Sequence, residues 1–344
     1  MCIRDRFIPN GPRLGTNVIE AKGVAKAFGD KLLYDDLNFV LPQAGIVGII
    51  GPNGAGKSTT ILMLTTLLGI TQGEANIMGL DVEKQDKEVR TKIGVALQDT
   101  GVDALLTGRE LFFTTGRLWG LSKEKSNERT EELLELVDLT ESADRRVKTY
   151  SGGMKRRLDL GLSLVNEPEV LFLDEPTTGL DPRSRRVIWD EIKRLNKNGV
   201  TVILSTQHLE EADELSDRIL IIDKGVVATE GTSDELKASV GGDVVTFTFQ
   251  KEESVEIAKS LIENAEVDQK ELRITVENGA EHIPIFMNTF AESNLNVKSV
   301  SANKPTLDDV FLKVTGSRLE NETPVEKKQS KRPSRGRPGR RGAR

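Results

Sequence analysis

The chain has 344 residues, of which 37% are hydrophobic and 30% charged, and its net charge of −6 includes nine positive charges on the last 18 residues. This length allows one large domain and a smaller one, and the composition is typical of a globular protein. The single cysteine, Cys2, excludes an internal disulfide, and one cysteine with two histidines is too few for a His/Cys zinc site.

The net charge and the lengths of the apolar runs argue against a nucleic-acid-binding protein and a membrane-spanning one. Without residues 327–344 the chain carries a net charge of −15, which argues against a nucleic-acid-binding surface, so no nucleic acid is expected as a partner. The longest apolar runs, residues 46–50 and 219–222, are too short to span a bilayer. Residues 1–17 lack an apolar segment and predict a disordered leader, and residues 318–344 predict a basic disordered tail.

Strands and helices alternate along residues 18–240, which predicts a largely parallel sheet covered by helices. Hydrophobic periodicity predicts strands at residues 18–27, 37–41, 45–50, 170–173, 200–204 and 218–223, and a turn at residues 28–30. It predicts helices at residues 59–68, 110–137, 152–165, 187–196 and 209–215. Residues 92–165 are mostly helical and interrupt the alternation, which predicts a helical subdomain.

After Gly241 and Gly242 the pattern changes. Residues 241–317 predict a small α+β domain of ferredoxin-like type, with no catalytic constellation of its own. Its strands are predicted at residues 244–250, 272–276 and 297–301, and its helices at residues 255–264 and 283–290.

A phosphate-loop pattern, G-x-x-x-x-G-K-[ST], occurs between a predicted strand and a predicted helix. The candidate nucleotide-binding residues are Gly51, Pro52, Asn53, Gly54, Ala55, Gly56, Lys57, Ser58 and Thr59. The glycines let backbone N–H groups surround phosphate oxygens at the positive end of a helix. Lys57 would contact the β- and γ-phosphates of ATP, and Ser58 would ligate Mg²⁺. The strand–helix context disfavours a chance match, which is expected in about one chain in a hundred.

A second motif is the apolar run at residues 170–173, which ends in Asp174 and Glu175. A buried strand delivers such carboxylates to the sheet edge where ligands bind. Asp174 is expected to hold Mg²⁺ and Glu175 to orient or deprotonate the attacking water. An Asp-Glu pair after a strand is commonly only the start of a loop, and the phosphate loop makes this pair more specific.

A third motif begins a helix with Ser151, Gly152 and Gly153. Backbone N–H groups and the helix dipole make it a second candidate anion site, although Ser151 is also a good helix N-cap. A chain with one phosphate loop does not need two such sites. The motif therefore suggests a site that serves the nucleotide of another copy.

These motifs resemble those of the ATP-binding-cassette (ABC) ATPases over residues 18–236, although Met154 stands where that family usually has glutamine. The resemblance implies an α/β fold of the P-loop NTPase class with a helical subdomain at about residues 92–165, plus the small C-terminal α+β domain. It also implies a head-to-tail homodimer, in which Ser151, Gly152 and Gly153 of one copy close over ATP held by the other.

Four more positions match the family residue by residue. Phe28 stands where an aromatic ring stacks on adenine, and Gln98 where a glutamine contacts Mg²⁺ and the attacking water. Asp181 stands in a loop that crosses the dimer interface, and His208 resembles the switch histidine that contacts the γ-phosphate. The simpler explanations are core packing for Phe28, a polar residue after a strand for Gln98 and a helix N-cap for Asp181. The resemblance thus makes Glu175, His208 and Gln98 the catalytic residues.

The single cassette, the residues at 148–153 and the string at residues 305–316 resemble the drug-export group typified by daunorubicin-resistance transporters. This implies a peripheral subunit on the cytoplasmic face of a prokaryotic membrane. It would power export of a drug, antibiotic or lipid-like substrate through a separate transmembrane permease. The segment between Gln98 and Ser151 is expected to dock that permease.

Two alternatives remain at this level. The first is a non-transport ABC ATPase in DNA repair or on the ribosome, but the former type inserts long coiled coils and the latter usually carries two cassettes. The second is a regulatory nucleotide-binding module without turnover, which would require Glu175 or His208 to be idle.

Overall fold

A computed structural model describes residues 17–28, 31–42, 45–98, 101–262, 265–293 and 295–316. The predicted leader lies outside these ranges except for its last residue. The predicted tail and most of the predicted turn at residues 28–30 also lie outside them.

The strands are β1 (Asn17–Phe28), β2 (Lys31–Pro42), β3 (Ile46–Ile50), β4 (Gln72–Ile77), β5 (Leu80–Asp81), β6 (Ile93–Ala96), β7 (Val170–Asp174), β8 (Thr201–Thr206), β9 (Arg218–Asp223), β10 (Val226–Gly231), β11 (Asp243–Phe249), β12 (Glu266–Asp268), β13 (Glu271–Val276) and β14 (Val297–Asn303). The helices are α1 (Lys57–Leu64), α2 (Asp86–Lys92), α3 (Gly108–Leu118), α4 (Lys123–Leu136), α5 (Gly152–Leu162), α6 (Pro182–Lys197), α7 (Leu209–Leu215), α8 (Ser233–Val240), α9 (Glu252–Leu261), α10 (Gly279–Glu292) and α11 (Leu307–Thr315).

A six-stranded sheet with the order β10-β9-β3-β8-β7-β6 forms the centre of the larger unit. All neighbours in it are parallel except β10, which runs antiparallel to β9. Every residue of β3 and β7 is buried, as expected for parallel strands covered on both faces. The carboxyl ends of β3, β7 and β8 therefore meet at one edge, where open α/β sheets bind ligands.

The two faces of this sheet have different partners because side chains alternate along a strand. Phe172 packs with Leu37 and Ile77, which belong to a second, antiparallel sheet with the order β2-β1-β4-β5. Leu171 and Leu173 pack on the opposite side with residues of α3 to α6. Strand β4 was not predicted, since its first three residues are exposed and interrupt the apolar pattern. Helix α2 was not predicted either, and Val89 is its one buried residue.

The helical subdomain differs from the prediction in two ways. The continuous helix predicted at residues 110–137 is wrong, because α3 ends at Leu118 and α4 begins at Lys123 after the N-cap Ser122. Gly120, with φ 83°, allows the turn between them. The predicted start at about residue 92 is also too early, because β6 pairs with β7 as an edge strand of the central sheet.

Other predicted helix ends shift by a few residues. Helix α1 spans Lys57–Leu64, where residues 59–68 were predicted, and α5 ends at Leu162, where residue 165 was predicted. Helix α6 begins at Pro182, five residues before the predicted start, since Asp181 caps it and proline suits its first turn.

The C-terminal part contains an antiparallel sheet with the order β12-β13-β11-β14, together with α9 and α10. This β-α-β-β-α-β arrangement is the ferredoxin-like type that the sequence predicted. Its core is aromatic, with the ring of Phe290 at 5.0 Å from that of Phe247 and at 5.5 Å from that of Phe249. None of the helices in the described ranges is both long and apolar enough to cross a membrane.

The last described helix, α11, packs on the larger unit. Its buried Leu307, Val310 and Phe311 share a cluster with Ala212 of α7 and Leu236 of α8. Sequence periodicity did not predict this helix.

Candidate functional site

The phosphate loop is shaped by backbone conformations that only glycine adopts easily. Gly54 and Gly56 have φ values of 83° and 106°, so both lie in the left-handed region. A Cβ at Gly51 would lie 2.3 Å from the carbonyl oxygen of Ile222, so the adjacent strand leaves no room for a side chain. The loop leads directly into α1, whose N-terminal N–H groups face the ligand position.

A cavity of about 570 Å³ opens at the carboxyl edge of the central sheet. Its walls are Phe28, Leu33, Asn53, Gly54, Gly56, Lys57, Ser58, Thr59, Gln98, Glu175, Thr178 and Gln207. The structure therefore brings most of the predicted loop residues together with Gln98 and Glu175. Gly51, Pro52 and Ala55 shape the loop from behind, where Ala55 N–H donates to the Pro52 carbonyl at 3.1 Å.

Lys57 is buried, and its ammonium group donates to the carbonyl of Gly51 at 2.7 Å and lies 3.9 Å from a Glu175 oxygen. Burial lowers the pKa of Lys57 below its usual range, while the carboxylates of Glu175 and Asp174 oppose this lowering. A buried cation beside phosphate-binding backbone groups is suited to a polyanionic ligand.

Asp174 ends β7 and is held by two hydroxyl groups. The Ser58 hydroxyl donates to its Oδ1 at 3.1 Å, and the Ser205 hydroxyl donates to the same oxygen. Ser58 lines the cavity, whereas Asp174 is not among the lining residues and contacts it through the Ser58 hydroxyl. This hydroxyl and carboxylate pair matches the preferences of Mg²⁺, which uses one or two carboxylates plus substrate phosphates. In the part of the chain that the structure describes, no cluster of three or more His, Cys, Asp or Glu residues could hold a metal ion.

Glu175 has a strained backbone and a fixed side chain. Its φ of 50° is unusual for a residue other than glycine, and such strain is typical of functional sites. The Glu175 N–H lies 3.1 Å from both the carbonyl and the hydroxyl oxygen of Ser205, and the Thr178 hydroxyl donates to its carboxylate at 3.0 Å. One carboxylate oxygen therefore remains aimed near Lys57, in the cavity wall.

Phe28 and Gln98 mark the cavity rim. Phe28 is 52% exposed, lies beside Leu33 in the wall, and has the Lys26 ammonium at 5.1 Å from its ring centroid. Such an exposed aromatic can stack on a base, and core packing does not explain it. Gln98 follows β6 and is exposed.

The residue that lines the cavity is one position before the predicted switch residue, His208. The cavity wall contains Gln207, whereas His208 is not among its lining residues. His208 is instead the N-cap of α7, and its backbone N–H donates to the Thr206 hydroxyl at 2.9 Å. Because β8 ends at Thr206, the next residue lies at the sheet edge and the one after it begins the helix. The sequence motif alone did not resolve this difference.

The other predicted ligands lie outside the cavity of a single chain. Ser151 caps α5 through its hydroxyl, which accepts from the Met154 N–H at 3.2 Å. Asp181 caps α6 and accepts from the Arg183 and Ser184 N–H groups, each at 3.0 Å, and the Ser184 hydroxyl bond lowers its pKa. A Cβ at Gly153 would lie 3.2 Å from the Ser184 hydroxyl, so the two helix starts adjoin.

Arg156 is a site residue that the sequence analysis missed. Its guanidinium donates to the carbonyls of Leu97 at 2.8 Å, Asp174 at 2.6 Å, Glu175 at 2.8 Å and Pro176 at 2.8 Å. Helix α5 is thereby tied to both the residue before Gln98 and the end of β7. The only sequence signal is a run of basic residues after the glycines.

Glu211 was also missed. Its side chain is fully buried in α7, and one carboxylate oxygen accepts from the Thr177 hydroxyl at 2.8 Å and the Trp189 indole N–H at 3.0 Å. The carboxylate therefore joins α7 to α6 and to the loop after Glu175.

Comparison with known proteins gives two family matches. The ABC transporter family matches residues 34–178, and the DrrA1-3-like C-terminal domain of ATP-binding proteins matches residues 231–315.

Individual proteins match most of the chain. The daunorubicin resistance ATP-binding protein DrrA2 of Streptomyces coeruleorubidus is 41% identical over 310 residues, covering 88% of this chain and 96% of that protein. The Nod factor export ATP-binding protein I of Rhizobium sp. (strain N33) is 36% identical, covering 88% and 98%. A dimeric post-hydrolysis structure of the cassette MJ0796 with ADP and Pi is 28% identical, covers 62% and 98%, and has a TM-score of 0.57.

Proposed function

Because this chain belongs to the ATP-binding subunits of ABC transporters, with a C-terminal domain of the DrrA type, we propose that two copies close around ATP to drive export through a separate membrane subunit. The chain binds and hydrolyses ATP. The observation that supports pairing of two copies is that the predicted nucleotide-binding residues lie in two separate places on one chain. Lys57 and Glu175 line the cavity of one chain, whereas Ser151 and Asp181 lie outside it.

Hydrolysis follows from the groups in the cavity. The phosphates of ATP would lie on the N–H groups of the loop and α1, with Lys57 near the β- and γ-phosphates. Glu175 would accept a proton from water as the water oxygen bonds to the γ-phosphorus and the bond to the β–γ bridging oxygen breaks. The products are ADP and phosphate, and the Thr178 hydroxyl keeps the Glu175 carboxylate in place.

Magnesium fits the oxygen atoms of Ser58, in the cavity wall, and of Asp174, which is bonded to Ser58. Ser58 and Asp174 would hold Mg²⁺, with Gln98 at the rim as a further ligand. When bound, the ion neutralises charge on the phosphate oxygens. Ser205 orients the Asp174 carboxylate through its hydroxyl bond.

The second half of the site would come from the partner copy. Gly152 has open space on its Cβ side and the Ser151 cap exposes the start of α5, so a γ-phosphate held by another chain could approach these N–H groups. Asp181 begins the neighbouring helix and would lie at the same interface. The partner is a second copy of this chain, because one chain supplies both halves of the site.

The membrane subunit would dock on the segment between Gln98 and Ser151. This segment exposes three large apolar side chains, namely Leu105 at 64%, Leu118 at 82% and Trp119 at 44%. Trp119 also lines a groove of about 300 Å³ together with Leu67 and Val95. Such a groove suits the apolar face of a short helix from the membrane subunit, which would place the chain at the cytoplasmic face of the membrane.

The docking surface can be tested by substitution. Leu105→Glu and Leu118→Glu should abolish export and co-purification with the polytopic membrane protein of the same operon, while basal ATP hydrolysis stays unchanged. Val226→Glu, at an exposed position on β10, is the matched control. Retained export with the two variants, or loss of ATP binding, would exclude this surface.

The transported class is a drug, antibiotic or lipid-like molecule. The relatives are named for daunorubicin resistance and for Nod factor export, which favours transport over a role in DNA repair or on the ribosome. Because the transported molecule would contact the membrane subunit, its identity depends on that subunit.

The central experiment measures the mass of the Glu175→Gln protein by light scattering, with and without Mg-ATP. Removing the base should preserve the ATP complex, so a monomer is expected to become a dimer only with ATP. Adding Gly152→Glu to this variant should restore the monomer. A protein that binds ATP but stays monomeric would contradict pairing of isolated subunits.

A further inference from the structure

We infer that Gln207, and not His208, is the side chain that contacts the γ-phosphate of ATP. This inference rests on the proposed function, and it assigns the switch position to a neutral amide. The sequence predicted an imidazole at His208, whereas this inference places an amide one residue earlier.

The first observation is the place of Gln207 in the fold. Strand β8 is buried over all its residues between β3 and β7 and ends at Thr206. Gln207 follows at the carboxyl edge and lines the cavity with Lys57, Glu175 and Thr178. Its side chain is therefore presented to the same space as the cation and the proposed base.

The second observation is the role of the His208 backbone in starting α7. Its N–H donates to the Thr206 hydroxyl at 2.9 Å, and its carbonyl accepts from the N–H groups of Glu211 at 3.1 Å and Ala212 at 3.3 Å. These bonds fix the His208 backbone at the start of α7, and His208 is not among the residues that line the cavity.

The helix start is also anchored from within. Three residues after His208, the buried Glu211 carboxylate is bonded to Thr177 and Trp189. A turn of α7 that rotated towards the cavity would break bonds to a buried carboxylate, which is costly. The packing thus keeps Gln207 in the wall.

A glutamine amide is suited to this position. Its NH₂ group can donate to a γ-phosphate oxygen, and its carbonyl can accept from the attacking water. Unlike an imidazole, it carries no charge at any working pH. Lys57 and Glu175, which line the same cavity, remain the charged groups beside it.

The test introduces a glutamate at position 207 or at position 208 and compares the affinities of the two variants for ATP and ADP. Gln207→Glu keeps the shape of the side chain but turns a donor into an acceptor and places negative charge near the phosphate. ATP affinity should fall about 10-fold to 100-fold, whereas ADP, which lacks the γ-phosphate, should lose less than about threefold. His208→Glu should change neither affinity by more than about twofold, because an acid is well placed at a helix start.

Kinetics gives a second readout. Gln207→Ala should lower kcat by about 10-fold to 100-fold with a smaller change in KM, and Gln207→His should recover much of the loss because imidazole can donate from a similar distance. Thermal melts that match the wild type exclude misfolding as the cause.

The outcomes separate the two levels of inference. If His208→Glu selectively weakens ATP and Gln207→Glu does not, the assignment to Gln207 is wrong while the ATPase function stands. If the wild-type chain neither prefers ATP over ADP nor hydrolyses it, the proposed function itself fails.

Discussion

The cavity and the start of α5 differ in what a single chain completes. In the cavity, Lys57, Asp174 and Glu175 are buried and are held by bonds to other residues of the same chain. At the start of α5, Ser151 and Gly152 are exposed, and the Ser151 hydroxyl bonds only locally to its own helix. Parallel strands can gather the first set because their ends share one edge. Under the proposed pairing, the second set would meet a phosphate only in a complex with another copy.

The largest expected effect is at the exposed surface. Gly152→Glu should lower kcat by about 100-fold to 1000-fold, because it places a carboxylate where the γ-phosphate of the partner copy would lie. ATP binding by the monomer should remain, since nothing lies within 4 Å of a Cβ at this position. Activity assays and equilibrium nucleotide binding measure the two effects.

Lys123→Glu is the matched control for this variant. Lys123 is likewise exposed at the first position of a helix capped by serine, where the Ser122 hydroxyl accepts from the Lys125 N–H at 3.2 Å. It should keep near wild-type activity. Equal losses in both variants would mean that charge at a helix start, and not a shared site, is responsible.

Mixing variants sharpens the comparison. Lys57→Ala damages the cavity and Gly152→Glu damages the exposed surface, so each homodimer has two broken sites. In an equal mixture, half the dimers would carry one intact site, and activity should recover to about a quarter of the wild-type value. Mixing Lys57→Ala with Glu175→Gln is the control, because both change the same cavity and no intact site can form. No recovery in the first mixture would contradict a composite site or show that both sites must turn over together.

Arg156 should show an intermediate effect, because it links the two regions. Arg156→Leu leaves four carbonyls without this donor, so it should cost about 2–3 kcal/mol of unfolding free energy and about 10-fold in kcat. Urea denaturation and ATPase assays measure both.

Arg157→Leu separates stability from catalysis. Arg157 bonds to Val137 and Asp138 in the helical subdomain and does not contact β7 in these bonds. It should lower stability but leave kcat near the wild-type value. A similar fall in kcat for both variants would refute a specific link through Arg156.

The smallest expected effect concerns Asp159, which lies 3.4 Å from Arg156. Burial raises the pKa of Asp159 to about 6, opposed by the Arg156 charge. The folded state therefore binds this proton more tightly than the unfolded chain, so stability falls as pH rises from about 4 to 6 and the cost persists above 6. Asp159→Asn should add about 1–2 kcal/mol at pH 7.5 and less at pH 4.5.

Urea titrations at the two pH values provide the test. A gain in unfolding free energy of the same size at both pH values would exclude ionisation of Asp159 as its origin. Asparagine resembles the neutral acid, so the gain should be large only at the pH where Asp159 is charged.

The sequence by itself determined the short-range features. The phosphate loop, the acidic end of β7 and the caps at Ser151 and Asp181 depend on residues within a few positions of one another, so their patterns are visible in the chain. The ferredoxin-like type of the C-terminal domain was also predicted from its alternating strands and helices, whereas strand β12 and the order of the four strands came only from the structure.

Only the tertiary structure decided which side chains meet across long separations. Arg156 binds Leu97, 59 residues earlier, and Glu211 binds Thr177, 34 residues earlier. No local period encodes such contacts. The same holds for the finding that Gln207, and not His208, lines the cavity, because the place where β8 ends and α7 begins depends on packing from β3, β7 and α6. Successive side chains of a strand point to opposite faces, so a boundary shift of one position changes which side chain lines the cavity.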